Sequence, residues 1–376
     1  MEAKYNVSVT LTPLEHYFFG DENLNTDGTE KYYQRSLQLP QQTTVLGAMR
    51  FLLLQTAGKN IFDGDKIINK VEAKKLIGEN SFNMLANQYG KINSISEVLL
   101  WHEEKGFYLP LLAWKNEENK IDTVVKKDNN KYFFGDDLEK STFLLSHYKV
   151  KKGVNQYWIG KGGNPFEKNI FEEYQHAGNF KNKENKTDDD DDAYFKMCYY
   201  RLDSKFSFVF NMNIPDNELV EKLIGEKRII NVGGERSKFT CEIERIEKSN
   251  PKQITEDIYD NAYSSFADPQ FTKVILTTDA YTESNPYQNS LLAVTQIKKM
   301  RFMQTNIDAT NAYSNMVKDD VAVYDNKIIR IGLKQSKLFN LLKRGSVFYF
   351  EKNTDVDDFL KHTAFENIGY NKYYKL

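Results

Sequence analysis

Only two cysteines occur in 376 residues, Cys198 and Cys241, and they do not form a CxxC pair. That excludes a disulfide framework and a cysteine-rich zinc module, leaving two small thiols expected to be buried and reduced. Histidine is sparse as well: His16, His102, His147, His176 and His362 are scattered, with no metal-ligand spacing and no HExxH pattern. There is no GxxxxGK[ST] or GxGxxG loop, no nucleophile elbow, no GGDD-type polymerase motif and no HD metal pair. No apolar run approaches the ~20 residues needed to span a bilayer. The first residues lack the basic stretch and apolar core of a signal peptide, so a cytoplasmic chain without membrane contact is expected. Positive charge is not in excess either: the net charge is −2, which argues against gripping nucleic acid by bulk charge alone.

What remains is ample material for a core. Hydrophobic residues make up 40% of the chain and charged residues 28%, which fits one elaborated domain or two ordinary ones. Aromatic residues are plentiful at 14%; they suit base stacking, although most are expected to fill core and surface. The charge is uneven. Residues 179–192 (NFKNKENKTDDDDD) end in five aspartates, and without them the chain is mildly basic, with a local cluster at Lys298, Lys299 and Arg301.

Residues 4–13 alternate, with Tyr5, Val7, Val9 and Leu11 on one face, and predict a half-buried strand. A polar loop follows to Leu39. Pro40 precedes Thr43 and Thr44, which are expected to cap a helix ending near Gly58, with Val45, Met49, Leu52 and Leu53 as its apolar stripe. A polar helix is predicted at 70–79, and a hairpin at 98–101 and 107–112. Residues 116–192 read as elaborated loops, the acidic run being the most polar piece. Beyond it come a strand at Phe206, Phe208 and Phe210, a helix capped by Asp216, a strand through Phe239, Cys241 and Ile243, strands at 273–277 and 346–351, and a helix at 356–364. Strand–helix–strand order appearing twice predicts an α+β chain with two ferredoxin-like (RRM-like) halves and long insertions. The units expected are 1–178 and 194–376, divided by an acidic loop at 179–193.

Two segments bear on anion binding. In LQLPQQTTVLGAMRFLLLQ (37–55), Thr43 and Thr44 mark a helix start with free N–H groups, while Gly47 and Arg50 share the face of Thr43. The same residues also fit an ordinary capped helix whose arginine forms a buried ion pair. In NVGGERSKF (231–239), Gly233 and Gly234 permit a nest of backbone amides, with Arg236 beside it, or a plain turn. His16 suits general acid–base work by type, but it has no evident partner.

Taken together, these segments resemble one family: the third subunit of the Cmr effector complex of type III-B CRISPR systems, within the RAMP superfamily. Residues 39–50 are similar to its proline, threonine, glycine–alanine, arginine signature, and 145–154 (LSHYKVKKGV) to its basic strand. Residues 232–236 match its double-glycine, glutamate, arginine motif. Residues 274–281 (VILTTDAY), with Asp279 where proline is usual, 344–351 (RGSVFYFE) and 368–371 (IGYN) resemble its later motifs. The resemblance implies a non-catalytic RNA-binding scaffold without cofactor or metal. Such a subunit holds the 5′ tag of the guide RNA (crRNA) and docks on the large polymerase–cyclase subunit beside an adjacent backbone RAMP subunit. The RNA-binding residues it points to, with the basic clusters, are Thr43, Thr44, Gly47, Arg50, His147, Lys149, Lys151, Gly233, Gly234, Arg236, Lys298, Lys299, Arg301, Gly369, Tyr370 and Asn371. The alternative is a metal-independent endoribonuclease of the same superfamily that cuts CRISPR repeats, using His16 and the Gly369 loop.

Overall fold

Alternating apolar residues at Val7, Val9 and Leu11 leave one side of the first strand for a helical layer. That strand becomes an interior strand of the largest sheet. The computed structural model describes residues 5–21, 33–58, 61–63, 66–78, 82, 89–115, 120–133, 139–145, 148–149, 151–179, 194–247, 250–283, 285–287, 290–305, 321–324, 327–330, 333–356 and 358–376. In chain order the elements used below are β1 Val7–Pro13, β2 Tyr33–Arg35, α1 Gln42–Thr56, α2 Lys70–Ile77, β3 Leu99–His102, β4 Gly106–Lys115, β5 Asn155–Ile159, β6 Phe171–Asn179, β7 Tyr194–Leu202 and β8 Phe206–Asn213. They continue with α3 Asn217–Leu223, β9 Arg228–Val232, β10 Ser237–Arg245, α4 Glu256–Tyr263, β11 Phe271–Leu276, β12 Leu292–Val294, β13 Ile297–Met300, β14 Phe339–Leu342, β15 Val347–Glu351, α5 Thr363–Asn367 and β16 Tyr373–Lys375. The chain is thus mixed α+β, mostly strands in several sheets, with few helices.

The large sheet has the order β5-β4-β3-β8-β1-β10-β9, antiparallel throughout. Helix α1 lays Val45, Met49, Leu52 and Leu53 against the face that carries Val7, Val9, Phe208, Phe210 and Phe239. Asp216 starts α3 as the pattern predicts, its carboxylate accepting from Leu219 N at 3.1 Å. On the opposite face, Leu99, Leu109, Leu111 and Val209 share a second core with Phe271, Ile275, Val347 and Tyr349 of the next sheet. That sheet runs β12-β15-β11-β16, and its far side is closed by Val356 and Leu360. In both sheets a first strand (β1, β11) lies between a later strand and the last one.

Several expectations are corrected. Gln41, not Thr43 or Thr44, is the N-cap of α1, and its side chain makes no capping bond; the threonines stand inside the first turn. The C-terminal helix is shorter and later, Thr363–Asn367 rather than 356–364. Residues 116–192, read as loops, contain β5, β6 and a ribbon pairing Val125–Phe133 with Glu139–Leu145. The large sheet joins β3 and β4 to β8 and β10, so it draws on both sides of residues 179–193. Asn179 faces Tyr194 across the β6–β7 pairing, while residues 180–193 themselves lie outside the described residues.

One buried cation ties the two large sheets together. Lys273 of β11 is 1% exposed, and its ammonium donates to Phe266 O at 2.9 Å, Thr123 Oγ1 at 3.2 Å and Thr123 O at 3.3 Å. Burial pushes its pKa down to about 8, with Asp268 and Asp122 opposing. Between about pH 8 and the ordinary lysine range the folded chain has released this proton while the unfolded chain keeps it. Stability therefore rises with pH across that window. Relative to a Lys273→Met variant, the wild type is expected to gain roughly 2 kcal/mol between pH 7 and 10. Urea unfolding of both proteins at the two pH values checks this, and parallel pH dependences would contradict it.

Candidate nucleic-acid interface

The start of α1 is fixed from outside the helix. Gln42 is fully buried, and its Nε2 donates to Ser96 O at 3.0 Å and to Gly369 O at 2.8 Å. This links the helix start to the loop after α5. The segment before the helix, Ser36–Leu39, forms one side of a cleft. A three-stranded sheet, β6-β7-β2, presents Arg35 beside it, with Tyr17 Oη donating to Gln38 O at 2.7 Å.

On the other side stands a cationic cluster around one carboxylate. Asp279, 1% exposed, accepts from Lys298 Nζ at 2.8 Å, Arg344 N at 2.9 Å and Arg344 Nε at 3.4 Å. Arg344 also reaches across to Val98 O at 3.4 Å, and Gly345 O accepts from Leu112 N at 2.7 Å. Lys343 Nζ donates to Gln296 Oε1 at 3.1 Å. Burial lowers the Lys343 pKa; Asp279 opposes this, and the neighbouring Lys298 and Arg344 add to it. For Asp279 burial alone would raise the pKa, yet Lys298 and Arg344 outweigh it and hold the carboxyl well below the usual carboxylate range.

Between these walls lies a cleft of about 270 Å³, lined by Asp21, Arg35, Ser36, Leu37, Gln38, Leu39, Gln156, Tyr200, Asp279, Lys298, Lys343 and Arg344. Four cations against two carboxylates leave it positive. A site of this size at a junction between sheets, with one aromatic ring and several convergent charges, suits a phosphate-bearing ligand.

The residues expected from sequence fall into three groups. Lys298 lines the cleft. Thr43, Gly369, Tyr370 and Asn371 brace it: Asn371 N donates to Asp279 O at 3.2 Å, and the buried Tyr370 hydroxyl faces Thr43. Thr44 is half-buried in the same turn. A second group stands elsewhere. Gly47 is exposed, and Arg50 is turned inward with its guanidinium 5.6 Å from the Tyr89 ring centre, so the two do not present one open face. Burial brings the Arg50 pKa down to about 10. Gly233, Gly234 and Arg236 form the β9–β10 turn, with Arg236 exposed at φ 54°. The turn packs on Phe18, whose N donates to Ser237 Oγ at 2.9 Å. Lys149 and Lys151 are exposed in the turn before β5, Lys299 is half-buried on β13, and Arg301 is exposed just after it. His147 lies outside the described residues. His16 is exposed, its ring 4.5 Å from that of Tyr174.

Sequence reasoning passed over Arg35, Lys343 and, as a site residue, Arg344. Consecutive Lys343-Arg344-Gly345 at a strand entry is the local signal that marks the last two; nothing local marks Arg35.

Chains solved by cryo-EM in a Type III-B Cmr-beta complex are among the similar structures. One, from a complex bound to cognate target RNA and AMPPnP, is 12% identical, covers 97% of this chain and 95% of its own, and has a TM-score of 0.46. Another, bound to cognate target RNA, is 12% identical over 97% and 96%, with a TM-score of 0.48. A chain of a Csm3–Csm4 subcomplex of a type III-A CRISPR-Cas interference complex is 9% identical over 93% and 96%, with a TM-score of 0.34. No curated protein matches. The Cas_Cmr3 family model of CRISPR-associated proteins matches residues 9–376. The sequence motifs are thereby matched by a family model over almost the whole length, and the chain belongs to the Cas_Cmr3 family, a Cmr subunit of a type III CRISPR effector.

Proposed function

We propose that this chain is the non-catalytic third subunit of a cytoplasmic type III-B effector complex, holding the single-stranded 5′ tag of the guide RNA in the cleft between the 36–39 segment and the Asp279 cluster. Its neighbours are the large polymerase–cyclase subunit and an adjacent backbone RAMP subunit. We read both sheets as ferredoxin-like: in the four-stranded sheet β11 lies between its third and fourth strands, and in the large sheet β1 lies between β8 and the last strand, β10, with further strands added around that core. The second lacks a helix between its first two strands among the described residues. The observation that carries the reading is the convergence of Arg35, Lys298, Lys343 and Arg344 on one cleft beside Tyr200. Phosphates position a strand on such cations. Most rings among the described residues, Tyr200 included, are packed in the cores, so the reading rests on the cations and not on open stacking platforms.

Lys343→Ala is expected to weaken binding of a tag oligoribonucleotide about 10- to 100-fold and to reduce the salt slope by about 1. Fluorescence anisotropy over a salt series measures both. Unchanged affinity would remove the cleft from the RNA path. Cleavage of labelled repeat RNA that disappears in a His16→Ala variant would overturn the non-catalytic assignment in favour of the endoribonuclease.

A further inference from the structure

A carboxylate at the centre of an anion-binding cleft is an anomaly. Asp279 is almost fully buried, and three donors from two cationic residues converge on it: Lys298 Nζ, Arg344 N and Arg344 Nε. Both cations also line the cleft, with Lys343 next to them. A negative charge here opposes every phosphate that enters and occupies the cations a phosphate would use. If affinity for anions were all the cleft had to supply, a neutral residue would serve it better. A carboxylate there instead penalises a ligand whose only asset is its charge, which is a way of obtaining selectivity rather than strength. A ligand that also fits the half-buried part of the lining, Leu37, Gln38 and Gln156, recovers the loss through apolar contact and hydrogen bonding.

The geometry points to Asp279 as the specificity-determining residue of the cleft, an internal counter-ion on Lys298 and Arg344 that rejects arbitrary polyanions and admits a single RNA strand making base and sugar contacts as well. This rests on the cleft being the RNA site. Asp279 itself contacts the cations rather than the RNA, so it acts as a positioning residue. Its backbone carbonyl meanwhile accepts from Asn371 N at 3.2 Å, which keeps the C-terminal loop at the cleft wall whatever the side chain is.

The test compares the full chain with Asp279→Asn, which keeps the size of the side chain and an acceptor for Arg344 N. Three oligonucleotides of equal length are titrated: the guide-RNA tag, an unrelated RNA and its DNA counterpart. In the variant the unrelated RNA and the DNA are expected to bind about 10-fold tighter with a salt slope steeper by about 1, while the tag changes less, so the selectivity ratio falls. A second variant, Asp279→Asn with Lys298→Gln, restores the charge balance and is expected to bring the ratio back towards wild type even if the single variant is poorly folded. An unchanged ratio in both variants, or equal weakening of all three ligands, would overturn the inference and leave Asp279 as a structural staple. Failure of the wild type to bind the tag at all would instead strike the RNA reading itself.

Discussion

An Arg344→Met variant is expected to lose about 3 kcal/mol of stability at neutral pH, among the largest effects available to a single substitution in this chain. Arg344 is 5% exposed and serves three partners: Asp279 through its main-chain N at 2.9 Å, the same carboxylate through Nε at 3.4 Å, and Val98 O through Nη1 at 3.4 Å. Methionine fills much of the volume and keeps the main-chain bond, so the loss reports charge and hydrogen bonding rather than a cavity. What remains is a buried carboxylate with Lys298 as its one cation in contact and a buried carbonyl without its side-chain donor, each costly away from water. The pH dependence distinguishes this from a packing defect. The Asp279 pKa is depressed in the folded chain, so its pairing contributes stability that is complete above the ordinary aspartate pKa of about 3.9 and fades as pH falls below it. The gap between wild type and variant is therefore expected to be constant from pH 5 to 8 and to narrow below about pH 4. Urea unfolding at pH 3.5 and pH 7 measures it. A gap that stays the same at both would assign the loss to packing.

Local rules made much of the fold legible. The alternation around Val9 predicted β1, the cap at Asp216 predicted α3, and the hairpin of β3 and β4 came within a few residues of its bounds. Each depends on neighbours in sequence. What failed depends on distant ones. Helix α1 begins at Gln42 because Ser96 and Gly369, 54 and 327 residues away, hold its side chain, and no capping rule carries that information. The acidic run suggested a division between units because composition changes there. Yet β6 and β7 pair on either side of it, and the passage from one large sheet to the next falls between Arg245 and Phe271. A charge run signals solvent, which a hairpin insertion meets as readily as a linker. The cleft was half legible. Lys298 and the 369–371 loop emerged from clusters and family resemblance, whereas Arg35 on β2 and Lys343 just after β14 are far apart in sequence and meet only through tertiary packing. Arg50 was expected on an open face, but a long side chain follows its nearest partner, here the ring of Tyr89.

Two glycines proposed for the RNA path are expected to respond in opposite ways to the same substitution. Gly369 has φ +90°, a conformation that an L side chain rarely adopts, and a Cβ there would lie 2.0 Å from Gln42 Nε2, 2.3 Å from Ser96 O and 2.6 Å from Ser96 C. Two of those three atoms are backbone and cannot swing away. Either the Gln42 amide is expelled and loses its bonds to Ser96 O and Gly369 O, or the loop withdraws and Asn371 N leaves Asp279 O. Both outcomes open the cleft wall. Positive-φ strain of about 1–2 kcal/mol and overpacking of about 1–3 kcal/mol together make Gly369→Ala destabilising by roughly 3–4 kcal/mol. Gly47 is the contrast: it stands inside α1, where a Cβ would have nothing within 4 Å, so alanine there adds helix propensity without a clash. Gly47→Ala is expected to stabilise by about 0.5–1 kcal/mol. Thermal melts of both variants give the signs, and anisotropy with the tag oligoribonucleotide gives the functional reading. If Gly47→Ala raises the melting temperature yet weakens RNA binding, a strand passes against that exposed helix face. If binding is unchanged, the RNA path runs through the cleft and not over the helix. A Gly369→Ala protein as stable as wild type would mean that the C-terminal loop does not sit against Gln42 and Ser96, and with it the wall of the cleft would have to be redrawn.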